Sequence, residues 1–256
     1  MTRADPGPGV LVVGRGRAGG SFASALEHAG WDVESCAHGE VQARLEDPDA
    51  AGPFDLVLLC VPDAAVGAVA SMVPPTTGAV VAHCAGSLGL DVLGGHPRTA
   101  SVHPLVSLPD AELGAGRLGG AWFAVAGDPL ARRVVQDLGG RAVEVGDDDR
   151  VAYHAAAAIA SNHLVALLAQ VQRVASGAGV PLEAYLDLAR GSVDAVAALG
   201  PAAALTGPVA RGDWATVEAH LGALDESERS GYLAGVRLAV RLVGRELPPS
   251  LGTVAP

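Results

Sequence analysis

The sequence predicts an α/β domain with a doubly wound sheet, followed by an all-helical domain, and three observations carry the prediction. An apolar run from Val10 to Val13 enters a glycine-rich turn and leaves it as an apolar-periodic helix that ends at Ala29-Gly30. Short apolar runs then alternate with helical stretches as far as Val145, the pattern of a sheet covered by helices on both faces. From Asp147 onward only helix-length periodicity follows. The division is expected between residues 1–146 and 147–256.

The 256 residues suffice for one large or two smaller cores, and with half of them hydrophobic and 18% charged the chain is not a disordered one. A formal net charge of -11 argues against nucleic acid or an anionic membrane surface as a partner. Every one of the 17 basic residues is arginine, so a lysine acid or a lysine Schiff base is excluded. Cys36, Cys60 and Cys84 are widely spaced and read as reduced thiols, and no cluster has metal-ligand spacing. The opening MTRADPGPG has the form of neither a signal peptide nor a transit sequence, so a cytoplasmic protein is expected.

Gly14, Gly16 and Gly19 fall at the G-x-G-x-x-G spacing of a dinucleotide-binding turn, here between a strand and a helix. Gly14 permits the tight turn, Gly16 lets a pyrophosphate approach the backbone, and Gly19 lets the helix pack against the strand. The loop Gly14, Arg15, Gly16, Arg17, Ala18, Gly19 is therefore the expected cofactor cradle. Trp31 to Ala37 reads as the second strand, at whose end an NAD-binding turn usually places an acid. Ala37, His38 and Gly39 stand there instead, with Glu40 already past the turn. Arg15 and Arg17 are placed to reach a 2′-phosphate, which favours NADP(H) over NAD(H); solvated arginines are the plain alternative.

Phe54 to Val61 is the clearest buried strand, and it stops at Cys60, Val61 and Pro62, on the edge where an open sheet binds its ligand. A helix is expected over Ala64 to Met72, and Gly78 to Cys84 forms the next strand. Thr99 to His103 leads into Pro104, and Ala121 to Ala126 and Ala142 to Val145 supply two more strands around a helix at Pro129 to Leu138. Ser87 and His103 then project from the ligand edge, one to orient a carbonyl and the other to donate a proton near neutral pH. A turn-capping serine and a loop-fixing histidine are the bland readings. His83 and His96 are weaker candidates.

The apolar pattern from Asp147 runs to Gly177, a helix of about 40 Å expected to be the buried spine of its domain. It contains His154, Asn162, His163 and Gln170, which argues against a membrane span. His154, Ala158, Ser161, Asn162 and Val165 share one face by α-helical spacing, so His154 and Asn162 are site candidates, while His163 lies opposite as a core or interface residue. Asn162 bonds either a ligand or the adjoining sheet domain. Further helices are expected at Leu182 to Leu199, Val209 to Leu224 and Ser227 to Gly244, with an irregular tail from Leu247.

HPLVSLPD, AIASNHLVALL and LTGPVARGDWATVEAHL resemble a family of Rossmann-like proteins carrying a C-terminal domain of unknown function, within the superfamily that joins a Rossmann domain to a helical domain of the 6-phosphogluconate dehydrogenase type. The AGS around Ser87, His103-Pro104 and the Ser161-Asn162 segment are similar to motifs of prephenate dehydrogenase, although the second histidine of its S-H-L-P-H helix is missing. Where beta-hydroxyacid dehydrogenases carry a lysine one turn before the asparagine, this chain has Ala158. The TGP-x-x-RGD segment is similar to distal helices of pyrroline-5-carboxylate reductases, which implies Arg211 as a carboxylate anchor, with an ion pair to Asp213 or another acid as the alternative. Some members of the family look like ketopantoate reductases.

The resulting expectation is an NADP(H)-dependent reductase of a small 2-oxo acid that functions as a homodimer through the helical domain. His103, Ser87, Asn162 and His154 form its expected catalytic group and Arg211 its substrate anchor. An imine reductase of the pyrroline type and an NADP(H) sensor without turnover remain open.

Overall fold

Seven strands build one sheet in the order β2-β1-β3-β4-β5-β6-β7. They are β1 Gly9–Val13, β2 Asp32–Cys36, β3 Leu56–Leu59, β4 Val80–His83, β5 Thr99–Pro104, β6 Trp122–Gly127 and β7 Arg141–Glu144. This computed structural model describes residues 7–46, 54–75 and 78–252. Residues 1–6, on which much of the reading of the N-terminus rests, and 253–256, the end of the expected irregular tail, lie outside the described residues.

The central strands are apolar on both faces, and each face has its own core. Val10, Val12, Leu56 and Leu58 point with Phe123 and Val125 toward α1 (Arg17–His28), α4 (Ala111–Leu118) and α5 (Leu130–Asp137). Leu11, Val13, Val57 and Leu59 point the other way, against α2 (Val41–Glu46) and α3 (Val66–Ala70). Alternate residues of one strand thus feed opposite layers, the requirement of a doubly wound sheet. β2 and β7 are the more polar edge strands.

Strand pairing is parallel except between β5 and β6, where His103 lies opposite Ala124 in an antiparallel ladder. The intervening α4 stacks on α1, and a side chain at Gly20 would press on Ala111 Cβ. Sequence reading missed α4, although Asp110 signals it: its carboxylate caps the helix by accepting from the Leu113 N–H at 2.8 Å.

After β7 the chain enters one long helical segment made of a 3₁₀ turn at Asp147–Asp149, α6 (Arg150–Ala158), a π-helical turn at Ile159–His163 and α7 (Leu164–Ser176). The chain divides within this segment, into Met1–Ser161 and Asn162–Pro256, further along than the expected boundary after residue 146. The reason is that α6 packs on the sheet domain through Tyr153 and His154. The π turn ends the α-helical spacing that was to align His154 with Asn162 and Val165.

The second unit continues with α8 (Leu182–Leu199), α9 (Pro201–Ala204), α10 (Gly207–Arg211), α11 (Trp214–Ala223), α12 (Glu226–Leu242) and α13 (Pro249–Gly252). The single helix expected over 209–224 is broken at Gly212, which takes φ 74°, and Asp213 caps the new start through the Thr216 N–H. The tail from Leu247, expected to be irregular, turns into α13, which buries Leu251. The core of this unit is gathered at Val209, Val217, Val236 and Val240. The expected buried spine is not buried within the chain: Val165 is 68% exposed, and Val151, Ile159 and Leu167 along it are exposed too, as are Leu188, Val193 and Leu199 of α8.

Candidate active site

Each glycine of the turn has its own geometric reason. Gly14 has φ 115°, and any side chain there or at Gly19 would run into backbone: the Cys60 carbonyl in one case, the Gly14 carbonyl in the other. Gly16 has open space where its side chain would be and precedes α1 without a side-chain cap. The first-turn N–H groups of a 12-residue helix are thereby left to a ligand, as a phosphate requires.

Two cavities of the first unit flank this turn. One, of about 410 Å³, is lined by Gly16, Arg17 and Ala18, by Cys60, Val61, Pro62 and Asp63 after β3, by Cys84 and Ala85 after β4, and by His103 and Pro104 of β5. Val106 and Leu108 close it. It therefore brings the expected glycine-loop and β3 residues together with His103. Gly14 and Gly19 serve the backbone packing beneath it.

The second cavity, of about 390 Å³, lies at the end of β2 between Arg15, Ser35, Cys36, Glu40, Ala43 and Arg44. Arg15 pairs with Glu40 at 3.2 Å, and Arg44 Nε donates to Glu34 at 2.7 Å. Sequence reading set Glu40 aside as past the turn. The 3₁₀ turn His38–Glu40 brings it back, its carboxylate accepting from the Ala37 N–H at 3.0 Å. Arg17 lines the other cavity, and Arg44, not a candidate from the sequence, lines this one with Arg15. His38 opens the turn and is not among the lining residues.

At the far side of the first cavity, Gly86 admits two histidines. A side chain at Gly86 would meet His103 Nε2 at 2.8 Å and His154 Cδ2 at 2.5 Å. The two imidazoles meet edge to face with centroids 5.8 Å apart. His103 Nδ1 lies 2.8 Å from Tyr153 Oη, a residue sequence reading missed although it precedes His154 directly. Burial, then the His154 ring and the Arg150 guanidinium, lower the His103 pKa from 6.5 to about 4. At neutral pH His103 is thus a neutral imidazole, which corrects the expectation of a histidine poised near neutrality.

Ser87 Oγ donates to Asp63 Oδ2 at 3.0 Å, tying the turn after β4 to the turn after β3. His83 is fully buried and braces its own loop: the Ala85 N–H donates to Nδ1, so Nε2 carries the proton and donates to the Gly89 carbonyl at 3.2 Å. His96 likewise donates to the Ala70 carbonyl. Asp147 accepts from the Leu90 N–H at 3.1 Å at the entry to the long helical segment. Asn162 and Arg211 belong to the second unit, where Arg211 ends α10. Among the described residues no group of histidine, cysteine and carboxylate side chains is arranged to hold a metal.

Residues 123–237, from β6 into α12, match the family model described as a domain of unknown function, DUF2520. Together with the strands before it, this domain completes a fold shared with solved structures across nearly the whole chain. A protein of Thermotoga maritima is 24% identical with a TM-score of 0.68, covering 92% of this chain and 98% of that one. A reductive aminase of Aspergillus terreus, in complex with cyclohexanone and allyl amine, is 17% identical with a TM-score of 0.66, covering 94% and 96%. Pyrroline carboxylate reductase of Plasmodium falciparum, with NADP bound, is 13% identical with a TM-score of 0.61, covering 93% and 98%. Among curated protein sequences, none matches the chain. The fold is a Rossmann domain followed by a helical domain, in line with the sequence expectation.

Proposed function

We propose that the protein is an NADP(H)-dependent reductase of a small 2-oxo acid, with ketopantoate as the first candidate. The observation that carries the reading is the single cavity that joins the open glycine turn at Gly16 to the imidazole of His103. Bound there, the reduced nicotinamide cofactor supplies a hydride to a carbonyl carbon. The uncapped start of α1 would hold the pyrophosphate, and Arg15 and Arg44 at the end of β2 would turn from Glu40 and Glu34, their present partners, to meet a 2′-phosphate. NADP is bound in the Plasmodium reductase and NADPH in a further complex of the Aspergillus aminase, which supports the same choice.

His103 donates a hydrogen bond from Nε2 to the substrate oxygen, and Ser87 turns its hydroxyl from Asp63 to orient it. His154 holds the His103 ring by its edge contact. Asn162 and Arg211 are carried as substrate residues of the second unit, Arg211 for a carboxylate. Because His103 is neutral, reduction of an imine is the second reading: an iminium already holds its proton and asks less of the acid.

The protein works as a cytoplasmic homodimer, its exposed α7 and α8 faces covered by a second copy. By length and composition, Asp147–Ser176 is the one described helix able to cross a membrane. Its first turns are committed to the sheet domain through Tyr153 and His154, which favours the soluble reading.

The test is fluorescence titration with NADPH and NADH, then addition of ketopantoate and a panel of 2-oxo acids with and without ammonia. NADPH is expected to bind more tightly, Arg15→Ala to weaken NADPH about tenfold and NADH little, and a 2-oxo acid to oxidise the bound cofactor. Oxidation only with ammonia present selects the imine reading, binding without any oxidation selects the sensor, and no binding removes the reading altogether.

A further inference from the structure

We propose that Tyr153 is the proton source behind His103: its hydroxyl passes a proton to Nδ1 as Nε2 gives its own to the substrate oxygen, and Arg150 holds the phenolate left behind. This rests on the reductase reading above, and three observations within the first unit carry it.

The first is the hydrogen bond of 2.8 Å between Tyr153 Oη and His103 Nδ1, supported by an edge contact of the two rings at 5.5 Å. It occupies the imidazole nitrogen opposite Nε2, the atom that approaches Gly86. The second is that His103 is held neutral, so it has no spare proton and gives one up only by taking another. His154 touches His103 only by its ring edge, and Asp63 is engaged by Ser87, which leaves Tyr153 as the hydroxyl in reach.

The third is Arg150. Its side chain is fully buried, and none of its guanidinium nitrogens has a hydrogen-bond partner among the described residues. The nearest carboxylate oxygen, Asp147 Oδ1, is 3.8 Å from Nε, too far for a hydrogen bond. A buried cation with so little compensation is costly. Three residues before Tyr153 on α6, it shares a helix face with the phenol, whose ionisation it favours against the opposing effect of burial. Burial is the larger effect and raises the Tyr153 pKa, but the Arg150 field favours the phenol as donor of the bond.

The balance closes without an imidazolium. As the carbonyl carbon gains its hydride, the new O–H bond forms while His103 Nε2–H breaks. The Nδ1–H bond forms while the Tyr153 O–H breaks, which converts the imidazole to its other neutral tautomer. The negative charge brought by the hydride rests on the phenolate until water returns a proton. Tyr153 acts through His103 and is a positioning and proton-supplying residue.

The experiment uses the full chain. Ring ¹⁵N NMR of the cofactor-free protein at neutral pH is expected to show His103 with Nε2 protonated and Nδ1 accepting, and Tyr153→Phe to release it into a mixture of tautomers. Ultraviolet titration of the phenol, read as wild type minus Tyr153→Phe, is expected to move to higher pH in Arg150→Gln. The other titratable groups around the pair are His154 on the same helix, His83 of β4, Asp63 and Asp147. With ketopantoate, NADPH turnover by Tyr153→Phe is expected to fall about 100-fold with NADPH affinity unchanged. If Arg150→Gln does not fold, the Tyr153→Phe spectra decide. Failure of the wild type to bind NADPH removes the reductase reading and the relay with it. NADPH binding together with a proton on His103 Nδ1 in the wild type, or with undiminished turnover by Tyr153→Phe, overturns the relay alone.

Discussion

His103 shows how burial sets the chemistry of a single residue. Its ordinary value of 6.5 and its folded value of about 4 bracket a window in which the unfolded chain binds more protons than the native one. Its contribution to stability is therefore fully present above about pH 6.5 and is lost as pH falls toward 4, at no more than about 1.4 kcal/mol per pH unit. His83, lowered by burial as well, acts in the same direction. Urea unfolding at a series of pH values is expected to show this decline, and His103→Gln a shallower one. Equal slopes in the two proteins would mean that His103 is not held neutral.

At the scale of the element, the start of α1 is where backbone geometry matters most. Gly19 sits against the Gly14 carbonyl, so Gly19→Ala forces the helix away from β1 and the cradle open. A loss of at least about 2 kcal/mol in stability is expected, together with loss of NADPH binding; urea denaturation and fluorescence titration check the two separately. Gly16→Ala has room for its methyl group and is expected to fold normally while weakening NADPH, because it changes only the ligand side. The π turn at Ile159–His163 belongs to the same scale. Periodicity cannot reveal it, because it is a single widened turn inside an apolar pattern that continues on both sides.

For the whole molecule, α7 and α8 carry the exposed apolar faces. Leu188, Val193 and Leu199 leave α8 with an apolar surface that a lone chain does not bury. Light scattering is expected to give twice the 25.5 kDa of the chain, and Leu188→Asp to shift the mass toward one chain. A wild-type monomer at micromolar concentration would remove the homodimer from the proposed function.

The local sequence determined the strand–turn–helix at the glycines, most of the strands and the change to helices alone after β7, because glycine stereochemistry and hydrophobic period act over a few residues. At Gly14 and Gly19 a side chain would meet backbone and at Gly16 it would meet open space, surroundings that suit the separate tasks their spacing suggests. Only the tertiary structure decided which titratable groups meet. Tyr153 lies 50 residues from His103, Glu40 returns through a 3₁₀ turn to Arg15, and Arg150 is buried without a hydrogen-bond partner among the described residues. Such meetings depend on how α6 and the β2 turn pack against the sheet, and the resulting desolvation turned an imidazole expected near neutrality into one held neutral. No spacing rule carries that information, because the energy of burying a charge belongs to the assembled surroundings and not to the residue.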